Sequence, residues 1–202
     1  DEERFYSEKI IKLNNIWNAH SGFDFKREFS ETPAKKNNYI TYGSFNNFLK
    51  ISDETAYAWS KILKKTQNAK LILKSSNNCF PKRIIEIFKK NKVYDLIEFY
   101  NRADYPNLKE HLNLYKKIDI ALDTFPYNGV TTSFEALWCG IPVLTVLGYN
   151  FNSRCGSSIL KNANLDQLIL KNSEEYIEKA LELSNNINQL SILRKDIFDR
   201  IL

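Results

Sequence analysis

The protein has 202 residues, of which 43% are hydrophobic and 26% are charged, a composition typical of a globular domain. Its net charge of +5 comes from basic residues spread along the chain, and its apolar runs are far shorter than the ~20 residues that span a bilayer. We therefore expect neither nucleic-acid binding nor a membrane span. The three cysteines lack CxxC or Cys/His spacing, which argues against a disulfide framework or a zinc site and favours buried thiols in a cytoplasmic location.

An N-terminal unit, residues 1–37, is predicted to be a helix followed by an interdomain arm. Apolar residues recur at near-helical spacing over residues 5–18, whereas residues 19–37 are rich in Ser, Lys, Glu and Asn. The chain begins with Asp1 and contains no methionine, so we expect it to be a piece of a longer or processed protein.

The remainder, residues 38–202, alternates β-rich runs with helical patterns. This alternation predicts an α/β domain with a Rossmann-like parallel sheet flanked by helices. Strands are expected at 39–45, 69–74, 96–100, 118–123 and 142–146, with a short sixth near 165–169. Helices are expected at 52–66, 80–91, 107–117, 131–140, 154–162, 173–184 and 187–201. In such folds ligands bind outside the carboxyl ends of the strands.

The loop after the first strand, "GSFNNFLK", carries short polar side chains and a lysine. Ser44, Asn46, Asn47 and Lys50 are candidates for a phosphate-binding loop. The chain has neither a GxGxxG nor a Walker sequence, and a polar turn that caps a helix explains the same residues. Lys74, at the end of the second strand, either points into the crevice or extends into water.

The stretch after the fourth strand, "LDTFPYNGVTTSFEALWCG", is the richest in candidate residues. Asp123 follows the strand directly, and a turn with Asn128 and Gly129 leads into a helix that starts with two threonines. The first N–H groups of a helix have no partners within it and carry a partial positive charge, so they suit a diphosphate.

A purely structural interpretation of the same helix start is equally open. Thr132 and Glu135 have the spacing of a capping box, in which the two side chains satisfy backbone N–H groups of the first turn. Alternatively, Glu135 lies one turn after Thr131 on the same helix face and accepts from ribose hydroxyls.

Together, "YGSFNN…K" and "LDTFP…G.TT…EALW.G.PV.T" resemble the C-terminal catalytic half of the O-GlcNAc transferase family, and more closely its SPINDLY-like branch in plants and bacteria. The resemblance covers residues 38–200. It implies the donor-binding half of a GT-B glycosyltransferase, a fold of two Rossmann-like halves. It also implies inverting transfer of a sugar from a nucleoside diphosphate to Ser or Thr hydroxyls of proteins, without a metal or other cofactor.

The resemblance also implies roles for individual residues. It places Lys50 and Asn47 at the diphosphate, Glu135 at the ribose and His111 near the nucleoside, with Lys50 and His111 as the catalytic candidates. By itself, a lone histidine on a helix is more often a surface or packing residue. The other predicted contacts to the donor are Ser44, Asn46, Lys74, Asp123, Asn128, Gly129, Val130, Thr131 and Thr132.

Two departures leave the donor open between UDP-GlcNAc and GDP-fucose. Val130 stands where the animal enzymes have a histidine, and Leu108 stands where they have a lysine that contacts the ribose. The resemblance further implies an N-terminal Rossmann-like half and tetratricopeptide repeats in the whole protein, and protein acceptors. The alternatives are a non-catalytic Rossmann-like interaction module and a GT-B glycosyltransferase that acts on glycans or lipids.

Overall fold

A computed structural model describes residues 3–18, 20–75 and 80–201. Within these ranges six parallel strands form one sheet in the order β3-β2-β1-β4-β5-β6. The strands are β1 (Ile40–Ser44), β2 (Ala69–Ser75), β3 (Ile97–Asn101), β4 (Ile120–Leu122), β5 (Val143–Val146) and β6 (Ile169–Leu170). The helices are α1 (Ala34–Asn37), α2 (Asp53–Lys65), α3 (Lys82–Lys90), α4 (Leu108–Tyr115), α5 (Thr131–Trp138), α6 (Cys155–Asn162), α7 (Ser173–Asn185) and α8 (Ile187–Arg200).

The observed sheet confirms the predicted parallel α/β architecture. β1 lies at the centre and pairs with β2 on one side, where Tyr42 is opposite Leu71, and with β4 on the other, where Tyr42 is opposite Ile120. The strand order reverses between β1 and β4, so the loops that follow these two strands border the crevice in which Rossmann-like sheets bind ligands.

The helix boundaries follow local chemistry that the sequence displays. The Ser52 hydroxyl caps α2 by accepting the N–H of Thr55 at 3.0 Å. Gly140, with φ of 72°, follows the end of α5, where a left-handed residue stops a helix. α2 packs on α7 through a buried hydrogen bond from Trp59 Nε1 to the Tyr176 hydroxyl at 3.0 Å.

The N-terminal helix predicted over residues 5–18 is wrong. The described residues there contain one short 3₁₀ turn, Glu3–Phe5, and otherwise irregular chain. Ile11 and Leu13 are 79% and 59% exposed, and although Ile16 packs on the core and the Trp17 ring meets the Phe151 ring edge-on, the described part of this segment buries no continuous apolar face. A helix of this length is marginal in water without such packing, and the β-branched and Asn residues of the segment lower its helix propensity further.

The rest of the arm packs on the Rossmann-like domain. The buried Arg194 of α8 donates to the carbonyl oxygens of Ser30 at 3.1 Å and Ile118 at 2.6 Å. The Asp119 carboxylate accepts the N–H of Ala34 at 3.0 Å and of Thr41 at 2.8 Å. The division of the chain at residues 37 and 38 stays a prediction.

Two smaller expectations concern the membrane and the cysteines. Over the described part of the chain, none of the helices has the length and apolar character that crossing a bilayer requires. Cys155 is a buried free thiol, as predicted, whereas the free thiol of Cys139 is only half-buried. Cys79 lies outside the described residues.

Candidate functional site

A cavity of about 340 Å³ opens at the carboxyl ends of the strands, between β1, β2, α4 and α5. It brings together side chains from the loops after β1 and β3 and from the facing sides of α4 and α5. Its lining residues are Phe45, Lys74, Arg102, Tyr105, Pro106, Asn107, Leu108, His111, Thr132 and Glu135. Four of these, Lys74, His111, Thr132 and Glu135, were predicted from the sequence.

The buried carboxylate of Asp123 accepts hydrogen bonds from the backbone of the loop between β4 and α5. Its side chain is enclosed, with the residue 2% exposed. One carboxylate oxygen, Oδ1, accepts the N–H of Gly129 at 2.7 Å and of Thr124 at 2.8 Å, and Oδ2 accepts the Thr145 hydroxyl at 2.7 Å. Burial raises the pKa of Asp123 to about 6, although these hydrogen bonds and Lys50 favour the ionised form. The carboxylate therefore shapes the loop and does not face the cavity.

A second set of hydrogen bonds links Asp123 to the start of α5. Asn46 Nδ2 donates to Asp123 Oδ1 at 3.2 Å, and the Thr132 hydroxyl donates to Asn46 Oδ1 at 2.7 Å. An ionised carboxylate only accepts, so the direction of both bonds is set by Asp123. A side chain at Gly129 would collide with this arrangement, because its Cβ would lie 2.5 Å from Thr132 Oγ1 and 2.6 Å from Asn46 Oδ1.

The capping-box interpretation of Thr132 and Glu135 is wrong. α5 begins after Val130, and that residue makes no side-chain cap hydrogen bond. The Thr132 hydroxyl bonds to Asn46, while the Glu135 carboxylate bonds to groups on α4. The backbone N–H groups of the first turn therefore remain the part of this helix that suits an anion.

Glu135 is held by a chain of hydrogen bonds that crosses the cavity. Lys74 Nζ lies 2.5 Å from His111 Nδ1, His111 Nε2 lies 2.9 Å from Glu135 Oε2, and the Tyr115 hydroxyl donates to the same oxygen at 2.9 Å. A lysine ammonium only donates, so His111 accepts at Nδ1 and donates from Nε2. Both donors reach Oε2, so Oε1 is the oxygen left to accept from a ligand hydroxyl.

Burial shifts the pKa values of two side chains in this chain of hydrogen bonds, Lys74 and Tyr115. Burial lowers the pKa of Lys74, with Glu135 opposing this effect and Arg102 adding to it. Burial, together with the neighbouring Glu135 charge, raises the pKa of Tyr115 well above its usual range, so the phenol stays a donor. Both ring nitrogens of His111 are engaged, so in this structure His111 orients Glu135; its predicted catalytic role stays a prediction.

Lys50 contacts the loop between β4 and α5 and is not among the residues that line the cavity. Its Nζ donates to the Asn128 carbonyl oxygen at 2.8 Å and lies 4.2 Å from the centroid of the Tyr127 ring. Burial lowers the pKa of Lys50, while Asp123 and Cys155 oppose this effect. The ammonium is thus placed beside the segment that leads into the N-terminus of α5.

The remaining predicted residues shape the site or lie at its edge. Asn128 is fully buried, and its amide donates to the Thr124 carbonyl at 3.0 Å. Asn47 caps the 3₁₀ turn Phe48–Lys50 by accepting the N–H of Leu49 at 3.0 Å. Ser44 is buried, and its hydroxyl has no partner among the described residues. Val130 is half-buried and Thr131 is exposed.

Sequence reasoning missed residues that line the cavity and one, Tyr115, that supports its lining through Glu135. Arg102 and Tyr105 directly follow β3, so the rule that ligands meet strand ends identifies them once it is applied to the third strand as well. Tyr115 lies four residues after His111, and this spacing places both on one face of α4. In the described ranges no group of three His, Cys, Asp or Glu side chains is arranged to hold a metal ion.

Comparisons with known proteins place the chain in a family. The profile of Glycosyl transferase family 41 matches residues 29–201. A tomato (Solanum lycopersicum) relative described as a probable UDP-N-acetylglucosamine–peptide N-acetylglucosaminyltransferase SPINDLY is 31% identical over 94% of this chain and 21% of its own length. The solved Thermobaculum terrenum O-GlcNAc transferase mutant K341M superposes with a TM-score of 0.82 at 30% identity, over 98% of this chain and 38% of that one.

A third likeness concerns the fold alone. The C-terminal domain of a glycosyl transferase group 1 protein from Francisella tularensis superposes with a TM-score of 0.64 at 13% identity, over 88% of this chain and 93% of that domain. The six-stranded parallel sheet flanked by helices therefore has the fold of one half of a GT-B enzyme, as predicted. The chain spans about a fifth of the length of the curated relatives it matches, such as the 21% of the tomato protein.

Proposed function

Because the chain belongs to glycosyl transferase family 41, we propose that it is the donor-binding half of an enzyme that transfers a sugar from a nucleoside diphosphate to Ser or Thr hydroxyls of proteins. The observation that carries this proposal is the convergence of Lys50 and the N-terminus of α5 at one loop, next to a cavity with a carboxylate held ready to accept.

The proposed chemistry follows from these groups. A departing nucleoside diphosphate gains negative charge as the bond to the sugar breaks, and a preorganised ammonium and helix N-terminus stabilise that charge without a metal. Lys50 and the first turn of α5 are assigned this role. Glu135 Oε1 is assigned the ribose hydroxyls, with Lys74, His111 and Tyr115 holding the carboxylate in place.

The donor is proposed to be UDP-GlcNAc, with GDP-fucose as the competing candidate. The tomato relative and the Thermobaculum protein are both described as transferases of N-acetylglucosamine. We assign the base to the part of the cavity lined by Arg102, Tyr105 and Phe45, because these side chains provide a cationic group and aromatic faces that suit either base.

The rest of the enzyme is proposed to cover the carboxyl edge of this sheet. Leu49, which is 89% exposed, lies in the loop after β1, and the exposed Leu147, Tyr149 and Phe151 lie in the loop after β5. These apolar side chains lie in loops at the same edge of the sheet as the site. We assign this surface to a second Rossmann-like half in a longer protein with tetratricopeptide repeats, acting in the cytoplasm on protein acceptors.

Binding of nucleotides by the chain itself tests the proposal. UDP, GDP, UDP-GlcNAc and GDP-fucose are titrated by isothermal calorimetry into the wild-type chain, Lys50→Ala and the control Lys61→Ala, in which an exposed lysine of α2 is removed. We expect the wild type and Lys61→Ala to bind one nucleotide series equally, and Lys50→Ala to bind it about tenfold or more weakly. Absence of binding at millimolar concentrations, or equal binding by Lys50→Ala, contradicts the proposal.

A further inference from the structure

Two consecutive residues of the loop between β4 and α5 contact the ammonium of Lys50. The carbonyl oxygen of Asn128 accepts a hydrogen bond from Nζ at 2.8 Å, and the face of the Tyr127 ring lies 4.2 Å away. The ring is 45% exposed, so it is not part of the core. We name this arrangement the Lys50 clamp, meaning the Tyr127 ring face and the Asn128 carbonyl.

Hydrogen bonds hold the backbone of the loop that carries the clamp. The Thr124 hydroxyl donates to the Tyr127 carbonyl oxygen at 2.7 Å, and Asp123 accepts the N–H groups of Thr124 and Gly129 on either side. Asn128 is fully buried. The Tyr127 ring therefore starts from a fixed backbone, which makes it a suitable support for a flexible lysine.

A lysine needs such support to act as a fixed charge. Its side chain has four rotatable bonds, and ordering it when a ligand arrives weakens binding. The partial burial of Lys50 also disfavours its charged form, and a ring face near an ammonium compensates for lost water. A cation–π contact of this kind changes an equilibrium constant by about 2-fold when exposed and up to about 30-fold when desolvated.

We propose that Tyr127 is a positioning residue that holds the Lys50 ammonium beside the N-terminus of α5, ready for a diphosphate. This proposal rests on the proposed function, because it takes Lys50 to be an anion contact. Tyr127 acts through Lys50 and through its ring face, and its hydroxyl group is not required. The Tyr127→Phe variant is therefore the matched control for Tyr127→Leu.

The clamp is first tested without a nucleotide. In NMR spectra, the Lys50 side-chain protons next to Nζ are expected to be shielded by the ring in the wild type and in Tyr127→Phe, and to lose that shielding in Tyr127→Leu. Tyr127 is partly exposed, so the leucine variant is expected to keep the fold. Unchanged Lys50 shifts in Tyr127→Leu overturn the proposed contact.

A double-mutant cycle then tests its role in binding. Affinity for UDP and GDP is measured by calorimetry for Tyr127→Leu and Tyr127→Phe, in the wild-type and Lys50→Met backgrounds. We expect Tyr127→Leu to weaken binding about 3- to 10-fold in the wild-type background only, and Tyr127→Phe to match its parent in both.

Two outcomes of this cycle overturn the proposal. An equal loss from Tyr127→Leu in both backgrounds shows that the ring acts independently of Lys50. A loss from Tyr127→Phe equal to that from Tyr127→Leu shows that the hydroxyl matters and the ring face does not. If the wild-type chain binds neither nucleotide, the proposed function fails, and the NMR measurement decides the Lys50–Tyr127 contact by itself.

Discussion

Asp123→Asn is expected to stabilise the protein near neutral pH, although Asp123 accepts hydrogen bonds from four groups. The carboxylate is enclosed beneath the loop between β4 and α5, and burial raises its pKa from 3.8 to about 6. An asparagine keeps an oxygen for the N–H groups of Gly129 and Thr124, and its amide group is able to donate to the Thr145 hydroxyl. The substitution therefore removes the buried charge and preserves the bonds.

The magnitude follows from the pKa of Asp123. The rise from 3.8 to about 6 corresponds to about 3 kcal/mol, at about 1.36 kcal/mol for each pKa unit. Between these two pH values the folded protein keeps a proton that the unfolded chain has released. The contribution of Asp123 to the free energy of unfolding therefore falls as the pH rises through this window and is constant above it.

Urea unfolding from about pH 4 to about pH 8 measures this effect in the wild type, Asp123→Asn and Asp123→Ala. Asp123→Asn is expected to be up to about 3 kcal/mol more stable than the wild type at about pH 7, with the difference vanishing near pH 4. Asp123→Ala leaves the N–H groups of Gly129 and Thr124 without an acceptor, at about 1–3 kcal/mol each. An Asp123→Asn variant as unstable as Asp123→Ala at about pH 7 refutes the reasoning.

Three further substitutions test the groups around α5. Tyr115→Phe removes one of two donors to Glu135 and is expected to lower the free energy of unfolding by about 1–2 kcal/mol in urea, whereas the exposed control Tyr57→Phe changes it little. Glu135→Gln is expected to weaken nucleotide binding about tenfold in calorimetry, and unchanged affinity shows that the carboxylate is only structural. Thr132→Val removes the donor to Asn46 and is expected to lower thermal stability by about 1 kcal/mol; an unchanged melting temperature contradicts the assigned hydrogen bond.

The parts of the fold that the sequence predicted are those set by local chemistry. The strands are short apolar runs, and Ser52 and Gly140 mark helix ends through bonds or backbone angles within a few residues. The helix predicted over residues 5–18 failed because apolar spacing does not reveal whether a partner surface exists. There Ile11 and Leu13 stay exposed, and the contacts of Ile16 with the core and of Trp17 with Phe151 do not extend along the segment.

In the candidate site, too, the features set by local sequence could be predicted and those set by tertiary contacts could not. The position of Lys50 and Thr132 near strand ends follows from the alternation of strands and helices, but the direction in which Asp123 points depends on Thr145 from another strand. Lys74 and His111 are separated by 37 positions in the sequence and meet only because β2 and α4 border one cavity. No local pattern encodes that contact, so their link to Glu135 required the structure.

Mapping a nucleotide onto the chain by NMR tests the central claim most directly. On titration with UDP or GDP, the account predicts that the amide signals of Gly129, Val130, Thr131 and Thr132 shift together with the side-chain signals of Lys50. These shifts are expected to saturate with a single affinity. Saturable shifts elsewhere in the chain, with these five residues unchanged, contradict the assignment of the site to the carboxyl edge of β1 and β4.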